Sequence, residues 1–244
     1  SFFYGLGPFV IVVVALEDIP ALVQLPSKDS GSSTGGFGTW TSIYDTLVRA
    51  AWDPPGTPPN FGTYEGGIAS SWTVAPDLSK ITFKIRKGVQ FHNGWGEVTA
   101  QDVVWNMNEA IKEGSVSNGG EQLSPGRKGG WEVVDDSTAV MKIALGAAGV
   151  GKKLGGFDPT WPLQFGNAWA GTLGIVSKKA FDQLGATKFN TTEIGTGPFK
   201  TVSWKPDDEV VAEALEDNWR VVPKVKRVRY VEMPEVATRE AALK

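Results

Sequence analysis

Between Ile81 and Arg86 the apolar residues Ile81, Phe83 and Ile85 alternate with Thr82, Lys84 and Arg86. A period of two turns one side of a strand toward a core and the other toward water, so this stretch predicts a half-buried strand. The pattern runs on without a gap. Lys87-Gly88 supplies a turn, Val89 to Phe91 a short second strand, and Asn93-Gly94 a pair that tolerates positive φ. From Thr99 the period lengthens to that of a helix, with Val103, Met107, Ala110 and Ile111 on one face until Gly114. Thr99 is a good N-cap, and Asp102 lies three residues on, near the positive end of the helix dipole. Asn106 and Asn108 are weak helix formers, so packing must hold this helix.

The β-branched run Val10 to Val14 predicts a buried strand. The wider apolar stretch Phe2 to Leu16 is shorter than the roughly 20 residues that span a bilayer, and Gly5, Gly7 and Pro8 interrupt it. No basic residue precedes it, which favours a strand over the remnant of a signal or anchor. Ser27 to Gly38 reads as a Ser/Gly-rich loop, and Trp40, Ile43, Tyr44 and Leu47 then mark one face of an expected helix. Trp52 to Gly67, rich in Pro and Gly, is expected to be an exposed loop. Trp72 to Ala75 should return through Pro76-Asp77 to lie antiparallel to Ile81 to Arg86. A Gly-rich connection from Gly114 leads to a hairpin in which Asp135-Asp136-Ser137 joins Trp131 to Val134 to the alternating Ala139, Met141, Ile143 and Leu145.

A second glycine cluster, Gly146 to Gly156, precedes an aromatic loop from Phe157 to Trp169. Leu173 to Val176 reads as a short strand, followed by a helix capped by Ser177, faced by Phe181 and Leu184 and stopped by Gly185. Phe199 to Trp204 and Glu209 to Leu215 flank the turn Pro206-Asp207-Asp208, Val225 to Met233 form a further strand, and Pro234 opens a last helix. The fold class is therefore mixed α/β. Residues 43–145 read as a small α+β subdomain inserted between 1–42 and 146–244, with Val10 to Val14 pairing with strands beyond Gly156. Trp72, Ile81, Phe83, Ile85, Val103, Met107 and Ile143 should share one core.

Composition narrows the chemistry. The 244 residues are 41% hydrophobic and 21% charged, those of an ordinary globular chain long enough to bury a core. A net charge of −3 with dispersed Lys and Arg argues against a nucleic-acid partner. No cysteine is present, which removes disulfides, thiolate metal sites and cysteine nucleophiles together. His92, the one histidine, sits beside Asn93-Gly94 with no Ser or Asp in triad context, and reads as a turn residue. The acid pairs Asp135-Asp136 and Asp207-Asp208 fall at turns, where Asp is favoured for local hydrogen bonding. Gly195-Thr196-Gly197-Pro198 lacks the Gly-Lys-Ser/Thr of a phosphate loop and reads as a tight turn. No catalytic residue, cofactor or metal site is expected. Aromatics set among small residues, Trp40, Trp161, Phe165 and Trp169, are the candidates for a ligand wall.

Two extended motifs carry a resemblance. The first runs from Ala69-Ser70-Ser71-Trp72 through Phe83-Lys84-Ile85-Arg86-Lys87-Gly88-Val89 and Phe91-His92-Asn93-Gly94 to Thr99-Ala100-Gln101-Asp102-Val103-Val104-Trp105. The second is Gly195-Thr196-Gly197-Pro198-Phe199-Lys200, then Trp204-Lys205-Pro206 and Asn218-Trp219. In order and spacing they resemble the extracellular solute-binding proteins of family 5, the peptide and nickel class of ABC-transporter receptors. The resemblance implies a first lobe of a two-lobed periplasmic-binding-protein-like fold, truncated at its C-terminus, with the solute held between two lobes. One lobe alone would not enclose a ligand. It further implies a bacterial, periplasmic or cell-surface protein that captures a peptide or other small solute for ABC permease subunits and performs no chemistry. The alternative is a hydrolase on a similar α/β lobe. The family's ligand contacts would fall near Glu17 and Asp18 and in the region from Trp40 to Tyr44.

Overall fold

A computed structural model describes residues 2–5, 10–16, 42–51, 60–112, 130–143, 161–162, 174–205 and 207–241. Strands β1 (Phe2–Gly5), β2 (Val10–Leu16), β11 (Phe199–Lys205), β12 (Glu209–Ala214) and β13 (Arg227–Glu232) build a five-stranded sheet in the order β1-β2-β13-β12-β11. β2 and β13 run parallel, with Val12 opposite Val228 and Val14 opposite Tyr230, while the other neighbours are antiparallel. The expected pairing of Val10 to Val14 with a strand from far down the chain is thus present. Parallel neighbours need a long crossover, and here nearly the whole chain supplies it.

Strands β5 (Ala69–Val74), β6 (Lys80–Ile85), β9 (Trp131–Asp135) and β10 (Thr138–Lys142) form a second, antiparallel sheet in the order β5-β6-β10-β9. Helix α1 (Ala100–Ile111) lies against β9 and β10 and against helix α2 (Lys178–Phe189). Ile81, Phe83, Ile85, Val103, Met107 and Ile143 are all buried in one apolar cluster, with the half-buried Trp72 packed against it. The alternation therefore assigned the inner face of β6 correctly. Helix α3 (Val236–Ala241) follows β13. Among the described residues no helix is long and apolar enough to cross a membrane.

The weak helix formers of α1 have partners that offset their low propensity. Asn106, 1% exposed, donates from Nδ2 to the Val176 carbonyl at 2.7 Å and accepts from the Val176 amide at 3.2 Å. Asn108 does the same to Trp131, donating to its carbonyl and accepting from its amide, each at 3.1 Å. Each side-chain amide thus replaces one rung of a strand pair, one clamping the approach to α2 and the other the start of β9. Asp102 joins the two helix starts: its carboxylate accepts from the Thr99 amide and hydroxyl, each at 3.0 Å, and from the Lys178 amide at 2.9 Å. Burial pushes the Asp102 carboxyl above its usual range even though these hydrogen bonds favour the charged form. Asn106→Ala is expected to lower stability by about 1–3 kcal/mol for each of the two Val176 backbone groups left buried and unpaired. Chemical denaturation measures it, and an unchanged midpoint would show that water replaces the amide.

Three expectations are corrected. The helix predicted around Trp40 to Leu47 is helical only at Ser42 and Ile43 within the described residues, and the chain then extends into β3 (Val48–Ala51). The reason is that distant amides claim its carbonyls: Gly197 bonds to Ile43 at 2.8 Å, Ile175 to Asp45, Ile68 to Thr46 and Ala69 to Leu47, each at 2.9 Å. Within the expected loop from Trp52 to Gly67, residues Asn60–Gly66 are instead a strand, β4, antiparallel to β3. The strand begins immediately after Pro59, where the proline-rich run ends. The strand expected over Leu173 to Val176 reduces, in the described residues, to a single bridge between Thr46 and Gly174. Gly185, at φ 72°, leaves helical geometry and interrupts α2 where a stop was expected, and a further turn beyond it carries Phe189 into contact with Phe181 and Trp105.

Candidate functional site

The two motifs that stand furthest apart in the chain meet in one place. Short strands β7 (Gln90–Phe91) and β8 (Gly96–Glu97) form a hairpin whose tip, His92–Gly94, is a single 3-10 turn with Asn93 at φ 58° and Gly94 at φ 75°. The His92 amide donates to the Gly195 carbonyl at 2.9 Å, and its ring Nε2 lies 2.9 Å from the Gly197 carbonyl. A carbonyl only accepts, so Nε2 carries the proton. His92 is 4% exposed, and desolvation holds its pKa below the ordinary imidazole value.

Behind the turn 195–198 lies Asp45, also 4% exposed. Its Oδ2 accepts from the Thr196 hydroxyl and from the Trp219 indole N–H, each at 3.0 Å, and its Oδ1 is 3.3 Å from Nε of Arg220. Asn218 donates to the Thr196 carbonyl at 3.0 Å, and the Arg86 guanidinium lies over the Trp219 ring, 5.1 Å from its centroid. A buried carboxylate is tolerated here because both its oxygens have partners, two N–H or O–H donors on Oδ2 and the Arg220 cation beside Oδ1. The glycines of the turn are explained by close approach: a Cβ on Gly195 would run into the Ile43 carbonyl, with the Tyr44 ring at 3.0 Å, and one on Gly197 would meet the Ser42 and Ile43 backbone. This is a backbone-on-backbone junction, and its geometry serves scaffolding. His92 Nε2 addresses a peptide carbonyl, and Asp45 is held by Thr196 and Trp219.

Glu193, just before the turn, is half-buried as a residue, yet its carboxyl is enclosed and accepts the Thr201 hydroxyl. Burial raises its pKa to about 8. The Tyr230 hydroxyl nearby is 3.0 Å from Oγ of Ser42, and its pKa too is raised, chiefly by burial and further by Glu193. The folded state therefore holds the Glu193 proton more tightly than the unfolded chain, whose carboxyl titrates near 4.5. Its contribution is fully present below that value and is lost as pH rises through about 8. Glu193→Gln is expected to flatten this alkaline decline in melting temperature. A decline equal to that of the parent protein would show that the carboxyl is not enclosed.

The residues proposed from sequence as ligand contacts separate into two groups. Tyr44 is 4% exposed and lies against Gly195 at the junction. Trp161, expected to lie open on a ligand wall, is 7% exposed and sits edge-on to Trp72 and Phe83, with centroids 5.6 and 5.5 Å away, on the inner face of the four-stranded sheet. Its ring is core, because the strands that alternate above it present two further aromatic rings. Glu17, Asp18, Trp40, Phe165 and Trp169 lie outside the described residues. Sequence reading missed Asp45, whose lone charge inside the apolar run Ile43 to Leu47 is the signal that a buried partner exists.

The fold defines the class first: the chain has the mixed α/β fold of the periplasmic binding proteins. The chain superposes on MoaA from A. tumefaciens R10, solved with mannopinic acid, with a TM-score of 0.78 and 25% identity over 96% of this chain and 43% of that one. It superposes on the oligopeptide-binding protein AppA of Bacillus subtilis, solved with a nonapeptide, with a TM-score of 0.69 and 22% identity over 96% of this chain and 42% of that one. The chain belongs to the bacterial extracellular solute-binding proteins, family 5, whose model matches residues 63–244. Its relatives include heme-binding protein A of Haemophilus influenzae, 28% identical over 197 residues, and the dipeptide-binding protein of Escherichia coli, 24% identical over 198. These alignments cover 73% and 72% of this chain, which spans only 34% of the length of each relative.

Proposed function

We propose that this chain is part of the extracytoplasmic solute-binding component of an ABC transporter, a carrier and not an enzyme, which captures peptides or similar small solutes for import. It would work in the periplasm or at the cell surface and hand its solute to permease subunits in the membrane. The family match over residues 63–244 carries this reading. Residues 1–42 and 146–244 are read as one discontinuous lobe, supported by the β2–β13 pairing across everything between them, and 43–145 as an inserted subdomain.

Solute contacts are assigned to Glu17, Asp18, Trp40, Phe165 and Trp169 in preference to Tyr44 and Trp161, whose rings are buried. Glu17 follows directly on the C-terminal end of β2, beside its parallel neighbour β13. In open α/β sheets ligands gather outside the carboxyl ends of such strands. Deleting the reading frame that contains this chain is expected to abolish uptake of a labelled peptide mixture by the cell, with recovery from a plasmid copy. Undiminished uptake, together with cleavage of the same peptides by the purified protein, would favour the hydrolase instead.

A further inference from the structure

His92 is built into the junction in a way that a turn residue does not require. It is the sole imidazole of the chain, it is 4% exposed, and it spans two parts of the fold, since the hairpin β7-β8 touches the turn 195–198 through its amide and its ring. With Nε2 spent on Gly197, the second ring nitrogen, Nδ1, is buried and has no hydrogen-bond partner among the described residues. A second proton could go only to Nδ1, where it would create a buried donor and a buried charge together. Two charged groups bear on the ring: Asp45, which would favour the imidazolium, and Lys200, which opposes it. Asp45 already serves Arg220, Thr196 and Trp219, so little of its charge is left to compensate.

We propose that His92 is a proton-operated latch, in which protonation at Nδ1 releases the β7-β8 hairpin from the turn 195–198 and lets the imidazolium reach water. The release would break the bonds from the His92 amide to Gly195 and from Nε2 to Gly197. The sheet β5-β6-β10-β9, with its own ladder, would stay closed. Desolvation acts in the same direction, since it disfavours the charged ring as long as the latch is shut. Opening therefore follows acidification below the ordinary imidazole range.

Amide exchange of the 244-residue chain carrying Glu193→Gln, which removes the Glu193 titration, tests the latch. After correction for intrinsic rates, protection of the His92 amide should fall by up to about tenfold for each pH unit below the ordinary imidazole pKa, the limit for one proton, with the Phe83 and Met141 amides as unchanged controls. Adding His92→Gln, whose side-chain N–H can still reach Gly197 but does not titrate, should make that protection independent of pH. A pH-independent His92 amide without the second substitution, or the same fall with it, would overturn the latch. Should the double variant not fold, the imidazole resonances of the single variant decide. An Nε2-H ring whose protonation coincides with loss of His92 amide protection supports the latch, and a ring that titrates with the junction intact overturns it.

Discussion

Gly195→Ala is expected to cost the protein more than any other single methyl group added within the described residues of the junction. The new Cβ would run into the carbonyl oxygen of Ile43, whose carbonyl carbon lies 2.8 Å away, with Cδ1 of Tyr44 at 3.0 Å. Overpacking a core commonly costs about 1–3 kcal/mol because side chains rotate away. Here the obstacle is mostly backbone, and that backbone is fixed: the Ile43 carbonyl accepts the Gly197 amide at 2.8 Å, and Asp45, two residues on, holds Thr196 and Trp219. Relief therefore requires the junction to separate, and a loss above about 3 kcal/mol follows, at the upper end of single-residue effects. Urea denaturation of the variant measures it. A midpoint near that of the parent protein would mean that the turn 195–198 can shift away from segment 42–44 at little cost, and the junction would not be the rigid contact described.

Phe83→Ala should destabilise by about 3–5 kcal/mol, the range for emptying a buried aromatic position. Phe83 is fully buried, stacked on Trp131 at 5.3 Å and 23° and edge-on to Trp161 at 5.5 Å. The cavity would lie between two rigid rings and the sheet, which collapse poorly onto it, so the cost should sit in the upper half of that range. A large drop in melting temperature is the expected readout. Unchanged melting would mean that β6 turns its other face inward, in conflict with the register that sets Phe83 opposite Trp72 and Ala139.

Much of the fold was legible because it depends on local periodicity. The alternation of Ile81, Phe83 and Ile85 and the helical face of α1, with Thr99 and Asp102 at its start, report which side of an element is dry, and the turn at Asp135-Asp136 and the β-branched run in β2 report where strands lie. Segment 42–47 was misread for an instructive reason. Its apolar residues recur at helical spacing and are indeed buried, but burial came from being enclosed on several sides. Its carbonyls are taken by amides from 68, 69, 175 and 197, a choice no local window contains.

The candidate site divides in the same way. From the residues alone it follows that these 244 residues hold no cysteine, that Gly195 to Pro198 lacks the pattern of a phosphate loop, and that His92 has no triad context, because residue type and near neighbours decide those questions. That His92, Asp45, Thr196, Trp219 and Arg220 form one junction was decided by tertiary structure alone. Their hydrogen bonds join residues 105, 151 and 174 positions apart. Local propensity is set within a few residues, whereas the desolvation of Asp45, the free nitrogen of His92 and the space denied to a Cβ on Gly195 exist only once those distant backbones are in contact.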